Sequence, residues 1–462
     1  MEVNLNFWSG LKSTTNKRDV MNADQYIDYV HDALNNANQT ITDRLLSDDV
    51  RVDRNNWQDL IFQTGNTSEL NANFSGGSDK ATYYTAIGHR TDEGIIIGSS
   101  SKATYLRNKN TFALKPWLDV ALNTALSYKT TKGSSPSFRN MLGYMPYKDI
   151  YDENQVGGFT DVDRINDASD ISNPLTIPNR VHPETNILSY QTQLNLKLKP
   201  FKGFTYTIQA GVKGTSERFF QWTDEYVSAG NVSVNAMQET SSYLFSPIVE
   251  SFINYTTDIG NHNISGLLGN TWQDGVKGGG IGIGATGYAT NEIKLASVAA
   301  SPLAPTQSLF IDSRLSYFGR LNYGYKSKYL MTVNMRTDAS PNFSPTNRWG
   351  YFPSLSLAWK INEETFLDNI DEISQLKLRA GWGRSGNDAI GQYRYLSSVF
   401  SQGVGYPLGV SQEDAAGATV VQNASPDIKW ETTESLTIGL DYGLFNNTLT
   451  GTIEYFDKKT ND

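Results

Sequence analysis

Few residue patterns in this chain could carry chemistry. Gly282, Ile283, Gly284, Ala285, Thr286 and Gly287 match G-x-G-x-x-G. That motif cradles a dinucleotide only when it joins a strand to a helix. Here it sits in GGGIGIGATGY, which reads as part of a long, flexible or tightly turning loop between strands. Asp161, Asp163, Asp167 and Asp170 cluster in the 130–185 segment. Calcium takes such oxygens, but the spacing does not match the EF-hand loop and no glycine stands at its turn position, so a solvated loop is expected. The histidines His31, His89, His182 and His262 stand in separate segments without metal-ligand spacing. Glu363 and Glu364 are paired carboxylates in a connection and read as solvated. No G-x-S-x-G elbow occurs. The chain has no cysteine, so disulfides and thiolate sites are excluded. No catalytic residue, metal site or cofactor is expected, and the chain is not expected to be an enzyme.

Aromatic side chains in the long polar connections are the better binding candidates. Tyr144, Tyr147, Tyr151 and Phe159 lie in one connection; Phe219, Phe220, Trp222 and Tyr226 lie in another. Aromatic faces stack on sugar rings and fill peptide pockets. The competing role is to pack the loops together or against a lid. Of these, Tyr144, Tyr147, Tyr151, Phe159, Trp222 and Tyr226 are the ligand-contact candidates.

These residues must be positioned by strands. From Tyr317 to Trp359 the sequence YFGRLNYGYKSKYLMTVNMRTDASPNFSPTNRWGYFPSLSLAW contains three runs with apolar residues at every second position. Tyr329, Met331, Val333 and Met335 oppose Thr332, Asn334, Arg336 and Asp338. Leu355, Leu357 and Trp359 oppose Ser354, Ser356 and Lys360. Period-two alternation gives one apolar and one polar face. About fifteen such strands are expected along the chain, with an amphipathic helix over 22–38 capped by Asn22. Its apolar stripe is Tyr26, Ile27, Val30, Ala33, Leu34 and Ala37.

The connections between the strands alternate strictly. Short ones fall at 76–79, 115–116, 200–202, 258–261, 325–326, 362–373 and 444–447. Long polar ones fall at 10–67, 93–102, 130–185, 218–241, 276–313, 340–347 and 385–430. Short turns on one side and long loops on the other is the outer-membrane barrel pattern; a soluble β-sandwich has no reason to segregate loop lengths. The expected fold is all-β, an antiparallel transmembrane β-barrel with long extracellular loops and short periplasmic turns. Trp349, Tyr351 and Phe352 are then expected at the outer membrane boundary, and Tyr323, Tyr325, Tyr329 and Trp359 at the inner one, where amphipathic rings suit the headgroup level.

Composition agrees with this reading. Aromatics are 12% of the 462 residues, and the net charge of −9 argues against nucleic acid as a partner. No apolar run reaches the length of a membrane helix, but a spanning strand needs only about 9–11 residues, half of them polar. The start, MEVNLNFWSG, lacks the basic and apolar regions of a signal peptide.

Several stretches together resemble the SusC/RagA-type TonB-linked outer-membrane proteins of Bacteroidetes: FSGGSDKATYYTAIGHRTDEGII at 74–96, the segment 317–340, NRWGYFPSLSLAWKINEE at 347–364, LKLRAGWGRSGN at 376–387 and SPDIKWETTESLTIGLDYGLFNNTLTGTIEYFDKKTND at 425–462. The resemblance covers nearly the whole chain in order. It implies a cell-outer-membrane, multi-pass barrel of 22 strands around a plug, of which this chain (1–462, with 10–67 a helix-bearing loop) would supply about fifteen. On this reading the chain is an internal piece that cannot by itself seal a barrel or transport. The resemblance also implies partners: a SusD-like surface lipoprotein, a TonB complex reached through the N-terminal part the family carries, and outer-membrane lipid. The implied cargo is oligosaccharide or peptide. The alternatives are a siderophore-type TonB receptor and a soluble or surface β-rich binding protein.

Overall fold

A computed structural model describes residues 1–368, 370–400, 405–410 and 413–461. Fifteen long strands form one antiparallel sheet in which each strand pairs with its neighbours in sequence. They are β1 (Glu2–Lys12), β2 (Gly65–Ser78), β3 (Ala81–Glu93), β4 (Ser100–Lys115), β5 (Leu118–Lys132), β6 (Val181–Leu198), β7 (Phe204–Thr223), β8 (Ala236–Ile259), β9 (His262–Thr286), β10 (Thr306–Tyr325), β11 (Tyr329–Ala339), β12 (Trp349–Lys360), β13 (Ile373–Asn387), β14 (Glu431–Leu444) and β15 (Leu449–Asn461). A two-residue strand, Ser301–Pro302, adds to the end of β9. This is the expected up-and-down order, with the expected alternation of short and long connections.

The tight side is built from turns that suit hairpins. Between β10 and β11, Lys326 and Ser327 both have positive φ, 52° and 57°, and the Lys328 N–H donates to the Tyr325 carbonyl at 3.0 Å, a tight turn whose twist matches the strands. Between β14 and β15, Phe445, Asn446 and Asn447 are likewise left-handed; asparagine tolerates that conformation better than most residues.

The long side differs from expectation. Strands were expected to stop near 275 and to resume near 314. Instead β9 runs to Thr286 and β10 begins at Thr306, so the G-x-G-x-x-G segment ends a strand rather than lying in a loop. The alternation fades for two reasons. A bulge falls between Gln273 and Val276, which reverses the facing of every later residue. Glycines then replace the side chains that would carry the pattern. A Cβ at Gly278 would come 2.1 Å from the Phe310 ring, so the missing side chain makes room for that ring.

The long connections carry the buried apolar core. Helix α1 (Ala23–Asn36) starts with a capping box, Asn22 Oδ1 accepting from the Gln25 N–H at 2.9 Å and Gln25 Oε1 from the Asn22 N–H at 3.1 Å. Ala23, Ile27 and Val30 bury one face; Ala33 and Ala37 of the expected stripe are exposed. Three short helices that the sequence pattern did not suggest, α2 (Trp57–Ile61), α3 (Phe138–Gly143) and α4 (Thr176–Arg180), are too short for a periodic signal. The first two contribute Trp57, Ile61 and Met141 to the same core.

Candidate functional site

The sheet has two chemically different faces. On one, Tyr329, Met331 and Val333 of β11 pair with Trp359, Leu357 and Leu355 of β12, and the row continues to Ala380 and Trp382 of β13. Most of these apolar side chains are exposed, which in water would be an aggregation surface and in lipid is the expected outer wall. Aromatic rings edge this face in two rows. In one, Tyr329 stacks on Trp359 at 6.3 Å and on Tyr325 at 6.2 Å, and His262 lies against Tyr325 and Tyr323. In the other, Tyr317 stacks on Trp349 at 6.1 Å, with Tyr351 exposed beside them. The rows lie eight to ten residues apart along β12. That is about 26–33 Å of strand, or about 20–25 Å of height at a barrel tilt near 40°, the thickness of an outer-membrane apolar band. Glu364 was expected to be merely solvated. It accepts from Trp359 Nε1 at 3.0 Å and faces Lys328 at 3.5 Å, tying the inner aromatic row to its turn.

The opposite face is polar and internally bonded. Arg320 donates to Asn334 at 2.6 Å, and Asn334 donates to Ser354 at 2.9 Å. Arg336 pairs with Asp338 at 2.8 Å and donates to Ser316. Arg379 of β13 bridges Asp441 of β14, at 3.4 Å, and Glu454 of β15. Toward the long-loop side these residues open into a cavity of about 970 Å³, lined among others by Arg314, Phe318, Arg336, Phe352, Asp388 and Trp430. A cavity of mixed aromatic and charged lining suits a polar oligomer with ring or peptide faces.

The rim of this cavity is held by the 340–348 connection. Ser340 Oγ donates to Asp388 at 2.7 Å, and Arg314 reaches the same carboxylate at 3.1 Å. Asn342 donates to the Asp388 carbonyl, Ser344 to that of Pro426, and Trp430 Nε1 to that of Arg348. Phe343 is wholly buried among them. Sequence reasoning missed Arg314, Phe343, Asp388 and Trp430 as one group. Their partners lie 46–82 residues apart across strands, and only register brings them together. The one available signal was an apolar phenylalanine inside the polar run SPNFSPTN.

The sequence-derived ligand candidates fall into three environments. Tyr144 (3% exposed), Tyr147 (4%) and Phe159 (6%) are buried in the loop core with α1 and Trp57. Trp222 (1%) is buried elsewhere, with Met237, Ala285 and Tyr288. These four rings take the loop-packing role: Tyr144 lies edge-to-face with Trp57 at 5.0 Å and Trp222 with Tyr288 at 4.9 Å. Tyr151 is 67% exposed, leaning on Phe159 at 5.3 Å. Tyr226 is half-buried on a small hairpin, Tyr226–Ser228 with Asn231–Ser233. Burial pushes the Tyr144 and Tyr147 phenols well above their ordinary value, and the Asp167 charge raises both further.

The aspartate cluster is solvated only in part: Asp161 and Asp167 are buried, Asp163 is half-buried and Asp170 is exposed, and all four carboxylates have protein partners. Asp161 accepts from the Ala229 and Gly230 N–H groups at the tip of that hairpin. Asp163 accepts from the N–H groups of Asn166 and Ile165 and from the Asn166 side chain; those bonds hold it below the ordinary aspartate range. Asp167, with no solvent exposure, pairs with Lys148 at 2.6 Å and Arg44 at 2.9 Å and accepts from Tyr147. Asp170 pairs with Arg139. The four histidines are as dispersed as the sequence suggests; His182 faces Asp224 at 3.0 Å.

Comparison with known proteins places this architecture. The model of the family described as TonB dependent receptor-like, beta-barrel matches residues 125–462. TonB-dependent receptor P3 of Formosa agariphila is 28% identical over all of this chain and 45% of its own length. TonB-dependent receptor SusC of Bacteroides thetaiotaomicron is 29% identical over 97% of this chain and 46% of its own length. The chain thus spans about half the length of the curated relatives it matches. The fold is shared with the structure of the RagAB peptide transporter, TM-score 0.83, at 23% identity, over 99% of this chain and 55% of that one. With its two-faced antiparallel sheet, this chain belongs to the TonB-dependent receptor-like β-barrel family, whose place is the outer membrane.

Proposed function

We propose that residues 1–462 form part of a single barrel domain of a TonB-dependent importer of oligosaccharides or peptides, working with a SusD-like surface lipoprotein. The observation that carries this reading is the pairing of a lipid-suited apolar face with a polar, cavity-bearing face, in a sheet whose loops are long on one side only. Such a wall separates lipid from a wet lumen. The two aromatic rows, Tyr323, Tyr325, Tyr329 and Trp359 on one side and Trp349 and Tyr351 on the other, lie at the two headgroup levels. The mechanism is selective binding and gated passage, with energy supplied through TonB and no covalent step.

Cargo is met on the long-loop side. Tyr151 and Tyr226 are the aromatic contacts there, and the cavity rimmed by Arg314, Asp388 and Trp430 is the first polar station inside the wall. The buried Tyr144, Tyr147, Phe159 and Trp222 hold the loops that present them. The test is uptake of labelled oligosaccharides and peptides by cells carrying the full-length protein, with and without TonB. The reading requires uptake of at least one class that disappears without TonB. TonB-independent entry, or none with either class, refutes it.

A further inference from the structure

On the long-loop side β9 and β10 run on past the end of β11, and this leaves one strand edge open. β10 pairs with β9 up to Thr306. Its other neighbour, β11, ends at Ala339, opposite Leu315. From Thr306 to Arg314, β10 has no strand beside it on that flank among the described residues. Period two decides which backbone groups face the opening. The Tyr325 carbonyl accepts from the Lys328 N–H across the β10–β11 turn, so odd-numbered residues of β10 point their N–H and C=O groups toward β11. Gln307, Leu309 and Ile311 continue that row into the open flank. Gln392 Nε2 donates to the Ile311 carbonyl there at 3.2 Å. No backbone hydrogen bond reaches Gln307 or Leu309 from that side among the described residues.

Protein edges are usually blunted by charge, proline or a bulge. Thr306–Ile311 reads TQSLFI, without charge, glycine or proline, and all six residues are exposed. The nearby bulge puts its extra residues in β9. Leu309 and Ile311 share the face of Tyr317, and Phe310 shares that of Arg314. The edge lies beyond Tyr317 of the outer aromatic row, and so above the lipid. It also leads to the cavity: Arg314 of the cavity lining is three residues below Ile311 on the same strand, about 10 Å. Strands that would continue the sheet join at β1 or β15, and β10 is five strands from the nearer. A body inside the barrel meets the polar face rather than this edge. A second copy in the same membrane would be related by an axis along the membrane normal. That axis would cross the two tilted edges at about 80° for a tilt near 40°, too steeply to pair.

We propose that Thr306–Ile311 is a strand-addition site for extended peptide cargo. The peptide backbone pairs with the N–H and C=O groups of Gln307 and Leu309 and with the Ile311 N–H, and its end enters the cavity at Arg314. The proposal rests on the import reading and narrows the cargo to peptide. A peptide strand repeats donors and acceptors at the spacing of this edge; an oligosaccharide does not. Main-chain pairing tolerates many sequences, with a preference for β-branched residues beside Leu309, Phe310 and Ile311.

The test uses the full-length protein in detergent. Its probes are the blocked peptide acetyl-Lys-Thr-Val-Thr-Val-Lys-amide, the same peptide N-methylated at every threonine and valine, and maltohexaose. Hydrogen–deuterium exchange across 306–311 should be fast in the free protein and should slow at least about tenfold with the unmethylated peptide alone. Calorimetry should show that peptide binding at least about tenfold more tightly than either comparator, a preference worth about 1.4 kcal/mol. Q307P/L309P removes two edge N–H groups that the β9 ladder does not use, and should lose both effects. Q307A/L309A keeps those groups and should keep both effects. The N-methyl comparison needs no variant, so it decides the matter even where the proline variant fails to fold. Slow exchange in the free protein overturns the proposal, because another segment or partner then holds the edge. Equal binding of the methylated peptide, a preference that survives in Q307P/L309P, or no peptide binding also overturns it. Each of these leaves the import reading standing; that reading falls only with the TonB-dependent uptake experiment.

Discussion

The ring of Phe343 lies 5.1 Å from that of Trp430, in a side chain with no solvent exposure on a connection otherwise made of Ser, Pro, Asn, Thr and Arg348. This contact fastens the 340–348 connection to the end of the long 388–430 connection at the cavity rim. Phe352 closes it from below, 5.3 Å from Trp430.

Phe343→Ala should therefore loosen the rim without unfolding the sheet. Removing a buried phenylalanine ring costs about 3–5 kcal/mol, and here the loss falls on two connections. Limited proteolysis should cut the 388–430 connection faster, with strand circular dichroism unchanged. Unaltered cleavage would show that the hydrogen bonds of Asp388 hold the rim alone.

The Lys148–Asp167 pair is the most buried ion pair among the described residues. Lys148→Met leaves Asp167 with Arg44 as its one cationic partner inside the loop core. Breaking a buried pair costs about 3–5 kcal/mol, so the loop module should melt separately and earlier than the sheet. Differential scanning calorimetry in detergent reads this as a new low-temperature transition.

The raised Tyr144 and Tyr147 phenols predict alkaline sensitivity. A group whose pKa is higher folded than unfolded contributes fully below its unfolded value, and the contribution is lost as pH rises toward the folded value. The loop module should therefore weaken above about pH 10, the ordinary phenol value. Tyrosinate absorbance should rise in two phases, exposed phenols first and these two only with loop unfolding. A single phase would contradict their burial.

Much of this was legible in the sequence, and the boundary of legibility has a physical cause. Alternation such as Tyr329, Met331, Val333 against Thr332, Asn334 survives wherever side chains report the strand period, so all fifteen strands could be read. It fails at Gly278, Gly280, Gly282 and Gly284, where there is no side chain to alternate, and past the bulge at Gln273, where facing reverses. The loop aromatics were visible as residue types, but burial depends on packing between distant segments. Nothing local distinguishes exposed Tyr151 from buried Tyr147, four residues away.

Facing also predicts substitution costs. Leu355 is exposed on the apolar face midway between the aromatic rows, while Ser356 is on the polar face. Leu355→Arg should cost about 2–4 kcal/mol, as a lipid-facing charge at the midplane does. Ser356→Arg should cost little. Urea titration of the full-length protein in lipid vesicles compares the two; equal costs would contradict the assignment of faces.

The absence of native cysteine allows the central claim, one lipid face and one wet face, to be tested position by position. Single cysteines placed at each residue from 351 to 359 carry a nitroxide in outer-membrane lipid, and relaxation by oxygen is compared with relaxation by a water-soluble nickel complex. Odd positions should be oxygen-accessible and even positions nickel-accessible, alternating along the whole run between the aromatic rows. Nickel access at Leu355 and Leu357 equal to that at Ser354 and Ser356 would contradict the account.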